Sequence, residues 1–296
     1  MAAEIINGND VAKAIRAELK EEISKMKASG VIPGLVVILV GENAASQVYV
    51  RKKGEACQEL GIHSETIRLP ATTSEDEMLG LIDKYNADPK FDGILVQLPL
   101  PKQISEEKVL MRIDPGKDVD GFHPVNVGKM VVGTETYLPC TPAGIQELLV
   151  RSGNDPKGKH VVVLGRSNIV GKPIANILVQ KASGADATVT VCHSRTKNLP
   201  ALSKQADILI AAMGVPKFVK ADMVGDGVVV IDVGVNRIDD PTTKSGKRLV
   251  GDVDFETVKE KAKAITPVPG GVGPMTITML MKNTVRAAKV HHNYKD

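Results

Sequence analysis

The chain of 296 residues predicts an α/β protein of two domains, each a parallel sheet covered by helices. Three observations carry that prediction. The length is about twice that of an ordinary single domain. Aromatic residues make up only 3% with no Trp, so the core must be built from aliphatic side chains. Short Val/Ile/Leu runs alternate with longer amphipathic stretches, as they do when helical crossovers bury both faces of a sheet.

The first strand is Gly34 to Gly41 (GLVVILVG), an aliphatic run closed by glycine at both ends. Ser46 to Leu60 reads as a helix ending at Gly61, and Ser64 to Leu69 as the next strand. Thr73-Ser74 opens a helix with Glu75 and Glu77 in its first turn. Asp92 to Leu98 is a third strand, and Ser105 begins a helix with Glu106 and Glu107 at its positive end. Thr141 to Val150 follows as a helix with Pro142 in its first turn. The polar segment Ser152 to Pro156 then breaks the pattern and the composition resets. Strands are expected at 159–165, Ala187 to Cys192, Ile208 to Ala212 and Val228 to Val235, giving a second parallel sheet. Met275 to Val290 is one amphipathic helix without a strand partner, expected to pack back on the first domain.

Composition narrows the function. Hydrophobic residues at 43% and charged residues at 25% describe a globular chain rather than a disordered one. The net charge of +3 is small and evenly spread, against a nucleic-acid partner. No apolar stretch reaches the roughly 18 residues of a membrane span, and the first ten residues lack a secretory pattern. Cys57, Cys140 and Cys192 are too widely spaced for a disulfide framework or a metal cluster. The expectation is a cytoplasmic protein without a bound metal.

Two regions carry chemistry. The strand ending at Leu164 runs into Gly165-Arg166-Ser167-Asn168-Ile169-Val170-Gly171 and then a helix. A glycine at such a junction lets the backbone approach a phosphate, whose charge the helix N-terminus favours. The spacing is not GxGxxG, and an ordinary tight strand-to-helix turn would look the same. The following strand ends Cys192-His193-Ser194-Arg195, where an NAD site usually carries an acid for the ribose 2′-hydroxyl. A hydroxyl and a guanidinium instead suit a 2′-phosphate, so NADP is the expected cofactor, with Arg166 a second partner. A solvated loop arginine is the alternative at Arg195.

In the first domain, Ser46, Tyr49 and Lys53 share one helical face near the carboxyl end of a strand. A lysine whose pKa is lowered by burial can act as general base or acid; a merely basic, solvated face including Arg51 and Lys52 is the alternative. Gln97 stands in an aliphatic strand end and needs a buried partner, for which the Lys53 amine is a candidate. Asp120, in Lys117-Asp118-Val119-Asp120-Gly121, presents a carboxylate able to hold an amidine-like heterocycle edge by paired bonds, or simply forms the turn. Cys140 reads as a packed small residue.

These segments, with Asp92 to Pro101, Pro139-Cys140-Thr141-Pro142 and Thr266 to Thr276 (TPVPGGVGPMT), closely resemble the bifunctional methylenetetrahydrofolate dehydrogenase/methenyltetrahydrofolate cyclohydrolase family nearly end to end. The resemblance implies two α/β domains around a cleft, the second a Rossmann-like parallel sheet, with the C-terminal helix returning to the first. It divides the chain into a folate-binding catalytic domain, residues 1–145 plus 275–296, and an NADP-binding domain, residues 146–274. It implies NADP-dependent oxidation of 5,10-methylenetetrahydrofolate to the methenyl compound, then hydrolysis to 10-formyltetrahydrofolate. By the same resemblance Lys53 is the general acid/base, Gln97 tunes it, and Tyr49 stacks on and orients the folate. Ser46 and Asp120 bind substrate, while Gly165, Arg166, Ser167, Ser194 and Arg195 bind cofactor. A homodimer formed through the cofactor domain is also implied.

Overall fold

The computed structural model describes residues 3–243 and 246–295. In chain order its elements are β1 (Glu4–Ile5), α1 (Gly8–Ala28), β2 (Gly34–Val40), α2 (Ala44–Leu60), β3 (His63–Leu69), α3 (Glu75–Ala87), β4 (Gly93–Val96), α4 (Glu106–Arg112), α5 (Pro124–Val131) and α6 (Cys140–Arg151). There follow β5 (His160–Leu164), α7 (Gly171–Leu178), β6 (Thr188–Cys192), α8 (Leu199–Ser203), β7 (Ile208–Ala211), β8 (Val229–Asp232), β9 (Asn236–Asp239), β10 (Lys247–Val250), α9 (Phe255–Val258), β11 (Ala264–Ile265) and α10 (Val272–His291).

The chain forms two compact units. One comprises residues 14–140 and 277–296 around a parallel sheet of order β3-β2-β4. Every residue of β2 is buried, which is why it reads as an unbroken aliphatic run. One face of the sheet packs Val36, Ile38 and Ile94 against Met78, Ile82 and Tyr85 of α3. Ser74 caps that helix with Glu77 in a reciprocal capping box. The last helix does return to this unit, where Cys57 Sγ lies 3.5 Å from Met281 Sδ.

The other unit comprises residues 1–13 and 141–276. Its sheet runs β1-β11-β8-β7-β5-β6, parallel throughout. Its core includes Val162, Leu164, Leu209, Val230 and Ile265. The division differs from the expected one at the N-terminus: β1 pairs with β11, so the described residues 3–13 group with the six-stranded sheet. Strands of two residues have no periodicity to read. The β9–β10 hairpin, antiparallel and exposed along most of its length, likewise has no aliphatic run. The helix α1 buries Ala12, Ile15, Leu19, Ile23 and Met26, a stripe at spacings of three and four. Among the described residues no helix is long and apolar enough to cross a membrane.

Candidate functional site

In the three-stranded unit the chain leaves β2 for β3 on one side and later takes β4 on the other. The carboxyl end of β2 is therefore a topological switch point, where open α/β sheets bind ligands. The helix α2 starts there, with Asn43 Oδ1 accepting from the Ala45 and Ser46 amides at 3.0 Å each. Its face then carries Ser46, buried, Tyr49, 37% exposed, and Lys53, 8% exposed. Gln97 follows β4 and is fixed by its own amide donating to Ile38 O at 2.9 Å. The Gln97 Oε1 accepts from Lys53 Nζ at 3.0 Å, and its Nε2 donates to Leu98 O at 2.8 Å. The side-chain amide thus uses both ends, and the lysine is recessed and paired rather than part of a solvated basic face. Ser46 Oγ lies 3.5 Å from the same Leu98 carbonyl.

Asp120 is half-buried on the loop between α4 and α5. That loop is tied down ahead of it. Lys117 Nζ donates to the carbonyls of Tyr85 and Asp88 at 2.9 and 2.8 Å. The Asp118 carboxylate accepts from His123 N and Asn126 Nδ2 at 2.8 Å each, and Asn126 Oδ1 accepts from the Thr136 hydroxyl. Behind the loop, Asn283 of α10 donates from Nδ2 to Val119 O and Leu138 O, 2.9 Å each. One amide therefore secures the residue before Asp120 and the approach to Cys140. The sequence signal for Asn283 was a lone amide in an aliphatic helix; for Asp118 and Asn126 it was acids and amides around a glycine turn, which read equally well as solvent-facing.

The electrostatics follow from burial. Desolvation lowers the Lys53 pKa from its ordinary 10.5, with the Asp120 charge pulling the other way. Desolvation raises Asp120, against the Lys53 charge. Asp118 is pushed up to about 6, chiefly by burial. The buried Cys140 thiol is pushed well above its ordinary value, so it is no thiolate nucleophile. A recessed amine, a carboxylate and a half-open aromatic ring can move a proton, grip a polar heterocycle edge and cover its face.

The second cluster lies in the six-stranded unit. Here β5 is the switch strand, with β6 on one side and β7 on the other. Gly165 follows it at φ +121°, and a Cβ there would stand 2.1 Å from Ala212 O, so no other residue fits. Ser167 Oγ accepts from the Val170 and Gly171 amides at 3.1 and 3.4 Å, shaping the entry to α7. Leu164 and Cys192 are in register, and Gly165 N donates to Cys192 O at 2.9 Å. The turns bearing Arg166-Ser167 and Ser194-Arg195 therefore leave the sheet side by side, with these four residues exposed. A glycine cradle, a helix N-terminus and two arginines without an acid at the end of β6 fit a dinucleotide bearing an extra phosphate. Among the described residues no group of three or more His, Cys, Asp or Glu is arranged to hold a metal.

Residues 6–120 match the family described as tetrahydrofolate dehydrogenase/cyclohydrolase, catalytic domain, and residues 139–292 its NAD(P)-binding domain. The chain is 62% identical over 294 residues to the bifunctional protein FolD of Syntrophobacter fumaroxidans, covering 99% of each. It is similar to the crystal structure of the bifunctional dehydrogenase/cyclohydrolase of Campylobacter jejuni (TM-score 0.92, 48% identity, 98% of this chain and 99% of that one). It is also similar to the Trypanosoma brucei dehydrogenase-cyclohydrolase complexed with NADP cofactor and inhibitor (TM-score 0.93, 40% identity, 99% of this chain and 100% of that one).

Proposed function

The chain belongs to the tetrahydrofolate dehydrogenase/cyclohydrolase family, and we infer that Lys53, Gln97, Tyr49, Ser46 and Asp120 serve both of its reactions on one folate. It is a bifunctional enzyme that oxidises 5,10-methylenetetrahydrofolate with NADP and hydrolyses the methenyl product to 10-formyltetrahydrofolate. The observation that carries the site assignment is the 3.0 Å hydrogen bond between Lys53 Nζ and Gln97 Oε1 in a recess at the switch point of the sheet.

In this reading Asp120 holds the polar edge of the pterin by paired hydrogen bonds, and Tyr49, with an exposed ring one turn before Lys53, covers its face. The methylene carbon lies between two nitrogens that stabilise the cation left when hydride departs, so alignment is the main demand of the first step. Bound NADP supplies the hydride acceptor. In the second step water adds to the methenyl carbon. Lys53, its amine kept neutral more readily by burial, takes the proton from that water and returns one as the ring C–N bond opens. Gln97 holds the amine in place through its accepting oxygen.

Arg166, Ser194 and Arg195 are assigned to the 2′-phosphate, and Gly165 and Ser167 to the pyrophosphate turn. Two further readings belong with these. β6 is the outer strand of its sheet, with its own Val191 39% exposed and Val179, just after α7, 56% exposed; an outer strand of this kind suits a second copy in a homodimer. The three cysteines are buried and free, which suits a cytoplasmic enzyme.

The deciding experiment follows reduced-cofactor formation from 5,10-methylenetetrahydrofolate with NADP and NAD in parallel, in the parent and in Arg195→Ala. Preference for NADP, weakened by about tenfold or more in the variant, is expected. Equal turnover with NAD in the parent would remove the phosphate assignment.

A further inference from the structure

Two carboxylates outside the reactions just described are buried in the six-stranded unit: Asp232, 3% exposed at the end of β8, and Asp252, wholly buried. Their environment is built around them. Asp252 Oδ2 accepts from the successive amides of Met213 and Gly214 at 2.6 and 2.8 Å, and Oδ1 accepts from Asn236 Nδ2 at 2.9 Å. Asp232 in turn accepts from Gly234 N, Asp252 N and Val253 N at 3.0, 2.9 and 3.0 Å. A Cβ at Gly251 would stand 1.7 Å from Asp232 Oδ2, and one at Gly234 2.3 Å from Asp252 Oδ1, so the backbone closes on both acids. The six donors are neutral N–H groups, which hold a buried carboxylate by charge-assisted bonds.

What is gathered matters more than the pair itself. Met213 and Gly214 follow Ala212, which lies directly against the nucleotide turn: Ala212 N donates to Leu164 O at 2.8 Å, and Ala212 O blocks any side chain at Gly165. Further along, Lys217 N and Val219 N donate to Gly251 O and Asp252 O at 3.0 and 2.9 Å. The whole segment after β7 is thus stitched to the strip carrying Asp252. Two successive amides drawn onto one oxygen fix the peptide planes of a loop that would otherwise sample many.

We propose that Asp252, seated by Asp232, is a positioning residue for NADP: it holds the Met213–Val215 turn against the Gly165 turn, so that the cofactor meets a wall already in place. The proposal rests on the assignment of the cofactor to this turn. Its loss would leave the competent loop only fractionally populated and weaken cofactor binding by that fraction.

The test is Asp252→Asn, with NADP varied at saturating methylenetetrahydrofolate and hydrolysis of methenyltetrahydrofolate measured without NADP. In that variant the side-chain amide can offer its oxygen to the two backbone amides, but its nitrogen then faces Asn236 Nδ2. The exchange variant Asn236→Asp/Asp252→Asn restores a donor opposite an acceptor. KM for NADP should rise about tenfold or more, with kcat within about threefold and hydrolysis unchanged, and the exchange should recover most of the loss. A KM within about twofold of the parent, or KM, kcat and hydrolysis failing together, would overturn the proposal. Should Asp252→Asn not fold, amide exchange in the parent decides: Met213 and Gly214 protected before NADP is added supports the proposal, and protection only after NADP overturns it. A parent without NADP turnover would instead refute the cofactor assignment itself.

Discussion

Replacing Lys53 by Met separates the two reactions. Methionine keeps the length and burial of the side chain but removes the amine that donates to Gln97 Oε1 at 3.0 Å. The kinetic effect falls on hydrolysis, where a general acid/base contributes about 10²–10⁴-fold, or about 2.7–5.4 kcal/mol of barrier at ~1.36 kcal/mol per tenfold. Hydride transfer moves no proton through Lys53, so the dehydrogenase rate should fall by far less. Stability should drop by only about 1–3 kcal/mol, because Gln97 Oε1 loses its donor while Nε2 keeps the Leu98 carbonyl. The assay follows loss of methenyl absorbance and formation of reduced cofactor in separate reactions. In the parent, hydrolysis should also climb with pH through a Lys53 pKa below the ordinary 10.5, since burial favours the neutral amine. Hydrolysis within about threefold of the parent in Lys53→Met, well short of the loss expected of a general base, would refute the role.

Asn283→Ala should destabilise the protein by about 2–4 kcal/mol and raise KM for folate, because the Val119 and Leu138 carbonyls both lose their donor beside Asp120; a melting temperature and KM equal to the parent's would refute that coupling. Folding raises the Asp232 carboxyl from 3.8 to about 7, mainly by burial. The folded state then binds that proton more tightly, so the contribution is complete below about 3.8 and is lost as pH rises through about 7, with a ceiling of about 4 kcal/mol. Urea midpoints of the parent should therefore fall between about pH 5 and pH 8 by more than those of Asp232→Asn. Equal declines would mean that Asp232 does not titrate in that window.

The sequence alone determined the class of fold, most strands, the face of α2 carrying Ser46, Tyr49 and Lys53, and the glycine turn at 165. Each is a local property: a strand buried on both faces must be aliphatic, and side chains three and four apart on a helix must share a side. The placement of Gln97 opposite Lys53 was anticipated because a buried amide needs a partner. Tertiary structure decided the rest. The pairing of β1 with β11 joins residues some 260 positions apart and leaves no periodic trace in two-residue strands. The grip of Asn283 on the Asp120 loop spans 164 residues. Asp232 and Asp252 read as ordinary polar residues near glycines until the backbone is seen closed around them. Acids on a surface loop and acids buried against six N–H groups have the same letters; only the folded chain supplies the donors that distinguish them.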